Sequence, residues 1–360
     1  MADAADAPAS PPPPRANPEL IGHADAEATL LDGWRSHRLA HAWLICGPPG
    51  IGKATLAYRF ARFVLGAGGN LFGDAPDSLA LDPGDPVFRR VAARGHGDLL
   101  TVERTYDEKA KRMRREIVVD DVRAVGPFLR HTASEGGWRV VVVDVADEMN
   151  VNAANALLKL LEEPPDKVLF LLVSNAPGRL LPTIRSRCRR LLLRAVDEAR
   201  VGDFLVRHRP TLEAGEAASL ARLADGRPGR ALRLADEGGL ALYREVVALL
   251  SGAPEIDVEA VHGLAGRAAR AGAEATYDTV MELLLQWLAR MVRLGATGAA
   301  MREVVEGEGA AIRGLLARGS LEHWTGVWEK IGRLAADVDR VNLDRKQVVI
   351  AAFSALESRP

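Results

Sequence analysis

A glycine-rich run that ends in a lysine is the part of this sequence with the clearest potential for chemistry. The run is Gly47-Pro48-Pro49-Gly50-Ile51-Gly52-Lys53, and a short apolar run, Ala42 to Cys46, precedes it. In the pattern Gly-x-x-x-x-Gly-Lys-[Ser/Thr], backbone N–H groups surround phosphate oxygens and the lysine reaches the outer phosphates. Residues Ala54 to Leu65 carry apolar side chains at helical spacing, which completes the required order of strand, loop and helix. The run predicts a nucleotide-binding loop, with an ordinary glycine-rich turn as the alternative.

The loop lacks the hydroxyl group that would bind Mg²⁺. Ala54 occupies the position where the pattern has serine or threonine. Thr55 is one residue later, which on a helix is a rotation of about 100°, so its hydroxyl should point away from the metal. We include Thr55 among the nucleotide-binding candidates. We expect ATP binding to survive this change better than Mg²⁺-dependent hydrolysis.

Two polar residues follow apolar runs further along the chain. Asp144 follows Val140 to Val143, and Asn175 comes after the run Val168 to Val173. Because parallel strands end at the same edge of a sheet, these residues and the glycine loop should share one rim. Asp144 is the candidate for holding Mg²⁺. Asn175 could hold a γ-phosphate or a water molecule, or it could form a turn.

The residue after Asp144 is a second departure from an active site. Many P-loop ATPases have a glutamate there that polarises the attacking water, whereas this chain has Val145, which offers no proton acceptor. Asp147 and Glu148 are interpreted as solvated residues before a helix. Two catalytic groups are therefore missing.

The alternation of strands and helices in the first half predicts an α/β P-loop domain with a mostly parallel sheet. Beyond about residue 195 only helical periodicity remains. We predict a disordered Ala/Pro-rich tail at 1–16, the P-loop domain at 17–196, a small helical lid domain at 197–240 and an all-α domain at 241–360. The apolar stripes of the last region, which includes Trp287, Trp324 and Trp328, could be internal core or subunit interface.

Composition excludes several classes of protein. The 360 residues carry a formal net charge of −1, which argues against a strongly basic polyanion binder. The two cysteines, Cys46 and Cys188, support neither a disulfide framework nor a zinc site. No apolar run approaches the roughly 20 residues of a membrane-spanning helix. A reducing cytoplasm is the expected setting.

Two segments are specific enough to identify a family. The first runs from Asn152 to Pro165 and reads NAANALLKLLEEPP, and the second runs from Leu180 to Cys188 and ends in Ser-Arg-Cys. On both segments the chain resembles the AAA+ clamp-loader subunits of bacterial DNA polymerase III, and the stretch Leu20 to His23 resembles the δ′ branch. The resemblance covers about residues 17–235, with a weaker likeness at 342–346.

The resemblance implies a role for Arg187. It would be an arginine finger, lent across an interface to the γ-phosphate bound by a neighbouring subunit. It also implies assembly with δ and γ/τ subunits, action on a sliding clamp and primer–template DNA, and a C-terminal collar. Without the resemblance, the run Arg185, Arg187, Arg189 and Arg190 would be interpreted as a solvated basic face.

The chain also departs from the family pattern. Residues 66–104 contain no cysteine, so no zinc is predicted, and Gly229 occupies the place of the sensor arginine, with Arg230 one residue away. The leading interpretation is a subunit that supplies Arg187 and leaves hydrolysis to a partner. The alternatives are an ATP-hydrolysing motor subunit like γ/τ and a free-standing P-loop ATPase.

A basic run upstream of Glu116 has two interpretations. Its members lie close to Asp107 and Glu108 and have no aromatic residue among them: Lys109, Lys111, Arg112, Arg114 and Arg115. They could contact DNA phosphates. A solvated hairpin or loop is the favoured interpretation.

Overall fold

The computed structural model describes residues 12–67, 77–108, 111–134, 137–270, 272–341 and 343–357. Two compact units emerge. One contains the described residues up to Arg209 together with Asp225–Arg230, and the other contains Pro210–Ala224 and the described residues from Ala231 onwards. The three-domain boundaries stay a prediction.

The first unit is built on a parallel sheet. The strands of the chain are β1 (Ala42–Cys46), β2 (Leu99–Val102), β3 (Tyr106–Asp107), β4 (Arg112–Met113), β5 (Arg139–Asp144), β6 (Val168–Ser174) and β7 (Arg189–Leu192). Five of them form one sheet in the order β2-β5-β6-β1-β7, and every pair in it is parallel. Strands β3 and β4 form a separate antiparallel pair. The predicted α/β fold with a parallel sheet is confirmed.

The central strands are buried along their whole length, which explains their composition. Every residue of β1 and β6 is buried, as expected for strands with helices on both faces. The edge strands β2 and β7 are largely half-buried or exposed. Their short, mixed sequences gave no strand pattern, so sequence reasoning missed them.

The helices of the first unit cover the sheet. They are α1 (Ala24–Arg35), α2 (Lys53–Ala67), α3 (Pro86–Ala92), α4 (Val119–Arg123), α5 (Val125–Arg130), α6 (Val151–Glu162), α7 (Pro182–Arg187) and α8 (Glu198–His208). Helix α6 begins at Val151, where the side chain of Asn150 accepts a hydrogen bond from the Ala153 N–H at 2.9 Å and caps the helix. Short 3-10 helices lie at Pro14–Ala16, Ala146–Glu148 and Pro177–Arg179.

Part of the predicted N-terminal tail is ordered. The guanidinium of Arg62, only 1% exposed, donates to the carbonyl oxygens of Arg15 at 2.7 Å and Asn17 at 2.8 Å. Residues 1–11 lie outside the described residues. The ordered chain thus begins before the predicted boundary at residue 17.

From residue 210 onwards the described chain contains helices without strands. They are α9 (Ala214–Leu223), α10 (Pro228–Asp236), α11 (Gly239–Ser251), α12 (Val258–Ala268), α13 (Glu274–Thr297), α14 (Glu308–Leu316), α15 (Leu321–Val341) and α16 (Arg345–Glu357). Trp287 and Trp324 are buried within this region, whereas Trp328 is 37% exposed. The predicted helical C-terminal half is confirmed. In the described residues, no helix combines the length and apolar character needed to cross a membrane.

Candidate nucleotide-binding site

The glycine loop connects β1 to α2. Strand β1 ends at Cys46 and helix α2 begins at Lys53, so residues 47–52 form the turn between them. Gly50 has a φ of +78°, and a Cβ atom there would lie 2.7 Å from the backbone nitrogen of Arg230. Both the backbone conformation and the close neighbour require glycine at this position. The loop therefore lies between a buried strand and the start of a helix, which is the order that the sequence pattern requires.

Lys53 is a buried cation at the start of α2. Its side chain is 4% exposed, and its Nζ donates to the Pro48 carbonyl oxygen at 2.8 Å. Burial lowers the pKa of Lys53 to about 8, although the nearby Asp144 and Asp147 carboxylates act in the opposite direction. An ammonium with this pKa is still charged at neutral pH. It can therefore bind an anionic phosphate.

Asp144 lies at the end of β5 on the same rim. It is in register with Val173 of β6, and Cys46 of β1 is in register with Ser174. Burial raises the pKa of Asp144 to about 6, with the Glu103 carboxylate adding to the rise and Lys53 opposing it. The shared rim predicted for the glycine loop, Asp144 and Asn175 is the arrangement that these registers produce.

Asp147 holds the segment that contains Asn175. Its Oδ1 accepts a hydrogen bond from the Asn175 N–H at 2.8 Å and its Oδ2 accepts one from the Ala176 N–H at 3.2 Å. The prediction that Asp147 and Glu148 are solvated residues is wrong, because Asp147 is partly buried in this turn and Glu148 pairs with Arg104 at 2.8 Å. The sequence pattern does not predict these contacts, because the partners follow different strands and are distant in the chain.

The residues around the loop fit a phosphate better than a metal ion. The glycine loop and Lys53 supply the groups that bind phosphate oxygens. Ala54 is the second residue of α2 and Val145 follows β5, so neither position offers an oxygen ligand or a proton acceptor. Within the described ranges, no group of three or more His, Cys, Asp or Glu side chains could hold a metal ion.

The start of α10 lies against the glycine loop. The N–H of Gly229 donates to the carbonyl oxygen of Gly50 at 2.8 Å, and a Cβ atom on Gly229 would lie 3.0 Å from that oxygen. The side chain of Arg230 is buried and its NH1 lies 3.6 Å from Oδ2 of Asp225. At the place predicted for the sensor arginine, the chain thus makes a backbone contact with the loop.

The segment before α1 also contacts the loop. Nε2 of His23 donates to the carbonyl oxygen of Ile51 at 2.8 Å, and burial lowers the pKa of His23. A Cβ atom on Gly52 would lie 3.2 Å from Leu20. Apart from the family likeness of residues 20–23, the sequence offered no signal for this contact.

Arg187 lies near the amino ends of the parallel strands, whereas the glycine loop lies at their carboxyl ends. It ends α7, two residues before Arg189, which is in register with Trp43 near the amino end of β1. The loop follows the carboxyl end of β1. The NH1 group of Arg187 donates to the Thr183 carbonyl oxygen at 3.0 Å, and its NH2 lies 2.8 Å from Oε1 of Glu162. Its side chain is 34% exposed, so a neighbouring molecule could reach it.

The other arginines of this run have different surroundings. Arg185, Arg189 and Arg190 are exposed. The guanidinium of Arg189 lies 4.9 Å from the centre of the Trp43 ring. The run is therefore not a uniform basic face.

The basic run upstream of Glu116 falls partly on a hairpin. Arg112 and Met113 form β4, which pairs with Tyr106 and Asp107 of β3, while Lys109 lies outside the described residues. Tyr106 is opposite Met113, and both are 53% exposed. Arg112 is opposite Asp107, so a cation and a carboxylate face each other across this hairpin. The contact with DNA stays a prediction.

The lowered pKa of Lys53 predicts nucleotide affinity that falls as pH rises. The ammonium loses its charge above about pH 8, so phosphate binding there requires uptake of a proton. We expect the dissociation constant for ATP to rise by up to about tenfold per pH unit above that point. Titration calorimetry across this range measures it. Lys53→Ala should bind more weakly with little pH dependence, and equal slopes for both proteins would contradict the role of Lys53.

Comparison with known proteins gives consistent matches. Residues 22–197 match the family described as DNA polymerase III, delta subunit. The DNA polymerase III subunit delta' of Pseudomonas aeruginosa is 38% identical over 208 residues, which are 58% of this chain and 59% of that protein. The corresponding Escherichia coli protein is 35% identical over 57% of each chain. The subunit tau/gamma of Haemophilus influenzae is 28% identical over 62% of this chain and 31% of that protein. These matches span less than two thirds of the relatives' lengths.

Proposed function

Because residues 22–197 match the family described as DNA polymerase III, delta subunit, we propose that this chain is the δ′-type subunit of a bacterial clamp loader. In that role it assembles in the cytoplasm with δ and γ/τ subunits and helps to place a sliding clamp on primed DNA. It supplies Arg187 to the ATP site of a neighbouring γ/τ subunit. Its own ATP site holds nucleotide and contributes little hydrolysis.

The position of Arg187 carries this proposal. The guanidinium is partly exposed near the amino ends of the strands, whereas the glycine loop of the same chain lies at their carboxyl ends. Arg187 is therefore better placed to contact a site on another molecule than the site of its own chain. Arginine fingers stabilise the charge that develops on the transferred phosphoryl group. Ala54 and Val145, which lack the oxygens that Mg²⁺ and the attacking water need, support the division of labour.

Nucleotide binding has support of its own. Lys53 is charged at neutral pH and lies at the start of α2, where backbone N–H groups and the helix dipole favour an anion. We propose ATP as the nucleotide, with Asp144 and Asn175 on the rim beside it. A bound nucleotide would then stabilise the loop without being turned over.

One alternative is an ATP-hydrolysing motor subunit of the γ/τ type. Lys53 and Asp144 have the residue types of an active site, and the tau/gamma protein of Haemophilus influenzae is a relative. The higher identity to two delta' proteins favours the δ′ proposal.

Assembly with candidate partners tests the proposal. We expect the purified chain to form a defined complex with both δ and γ/τ subunits, with its mass measured by light scattering after size exclusion, with and without ATP. A motor subunit would instead assemble in several copies and hydrolyse ATP as part of that assembly. Failure to bind either partner would overturn the proposal.

A further inference from the structure

The ends of α6 and α7 form an ion pair whose basic member is Arg187. Glu162 is the last residue of α6, and its Oε1 lies 2.8 Å from NH2 of Arg187. The carbonyl oxygen of Thr183, one turn earlier in α7, accepts a hydrogen bond from NH1 at 3.0 Å. Two groups of its own chain therefore hold the guanidinium.

The two helices are fixed with respect to each other. Leu157 and Leu161 of α6 and Ile184 of α7 are buried in the same hydrophobic core. Ile184 is the residue after Thr183, so the core also anchors the acceptor on α7. Close packing leaves little freedom in the relative position of these elements. The distance between the ends of α6 and α7 is thus set by the core of the domain.

The contacts leave the guanidinium able to bind an anion. A guanidinium has five N–H donors, of which the contacts to Glu162 and Thr183 use one on each terminal nitrogen. The Nε–H and one N–H on each terminal nitrogen remain. The C-terminal end of α6 also carries partial negative charge, which favours a cation beside it. Arg187 is therefore oriented by its own chain while most of its donors stay available.

We infer that Glu162 is a positioning residue for Arg187. By holding NH2, its carboxylate fixes the plane of the guanidinium, so that the remaining donors are already aimed when a neighbour's γ-phosphate arrives. A freely rotating arginine would have to lose that freedom during the reaction. This inference rests on the proposed function, because it assigns Glu162 a role only if Arg187 acts on a neighbouring site.

Steady-state ATP hydrolysis by the complex tests the inference. The complex contains the full chain, δ and γ/τ subunits, sliding clamp and primer–template DNA. We expect Glu162→Ala to lower kcat by about fivefold, as for loss of an exposed ion pair, with KM for ATP changed by less than about twofold. Glu162→Gln, which keeps an acceptor oxygen, should recover part of the rate. Glu163→Ala is the matched control, because Glu163 is the adjacent exposed carboxylate.

A double-mutant cycle separates positioning from a general structural effect. In the Arg187→Ala background, Glu162→Ala should have no further effect on kcat. If Glu162→Ala lowered kcat by the same factor with and without Arg187, the inference would be overturned. A rise in kcat on Glu162→Ala would also overturn it, because the carboxylate would then hold Arg187 away from its productive position. If Arg187→Ala lowered kcat and Glu162→Ala did not, the positioning role of Glu162 would be overturned and the proposed role of Arg187 would stand. Unchanged kcat in Arg187→Ala would overturn the proposed finger as well.

Discussion

Replacing Arg187 with alanine should slow ATP hydrolysis at the neighbouring subunit's site by about three orders of magnitude, the lower range for loss of an arginine finger. The physical reason is the loss of a positive charge beside the phosphoryl group as negative charge develops on its oxygens. Single-turnover hydrolysis by the reconstituted complex, with clamp and primed DNA present, measures the effect. Several subunits of the complex could hydrolyse ATP, and only the site that receives Arg187 should be slowed. In the Arg187→Ala complex, hydrolysis at that site should therefore appear as a separate slow phase, and its rate is the quantity to measure.

Two variants of the same chain serve as controls for this result. Arg185→Ala removes an exposed arginine from the same helix, α7, and should hydrolyse ATP like the unchanged complex, without a slow phase. Lys53→Ala removes the cation of the chain's own loop and should impair clamp loading much less than Arg187→Ala does. Comparable losses for Lys53→Ala and Arg187→Ala would mean that the chain's own ATP site matters as much as the finger.

The isolated chain should bind ATP and yet hydrolyse it at least about 100-fold more slowly than an intact AAA+ subunit, since a positioned general base alone contributes at least that factor. Val145 offers no proton acceptor next to Asp144, Ala54 offers no hydroxyl to Mg²⁺, and Gly229 has no side chain to reach a phosphate. Titration with ATP, followed by a phosphate-release assay on the same preparation, gives affinity and turnover separately. Robust turnover by the isolated chain would contradict the proposed function.

A converse experiment shows how far the loss extends. Ala54→Thr together with Val145→Glu restores the two missing oxygen-bearing side chains. We expect this double variant to remain slow by itself, because Gly229 still contacts the loop through its backbone and no neighbour supplies an arginine. A gain only within the complex would identify the missing finger as the remaining defect.

The local patterns of the sequence predicted the framework of the first unit. Strands β1, β5 and β6 are recognisable because burial on both faces requires an unbroken apolar run. The glycine loop is recognisable because positive φ angles and backbone–phosphate contacts restrict the residue types within seven consecutive positions. The edge strands β2 and β7 escaped prediction because partial exposure removes that constraint.

The sequence by itself thus determined a parallel α/β domain, a glycine loop between its first strand and the following helix, and a helical C-terminal half. Only the tertiary structure decided that Asp147 holds the Asn175 turn, that Gly229 lies on Gly50 and that Glu162 holds Arg187. Each of these contacts joins segments that are distant in the chain. Helix and strand patterns reflect hydrogen bonding and burial among near neighbours, whereas these contacts depend on strand order, register and helix packing. The same topology separates Arg187 from the glycine loop of its own chain, because Arg187 lies near the amino ends of the strands and the loop lies at their carboxyl ends.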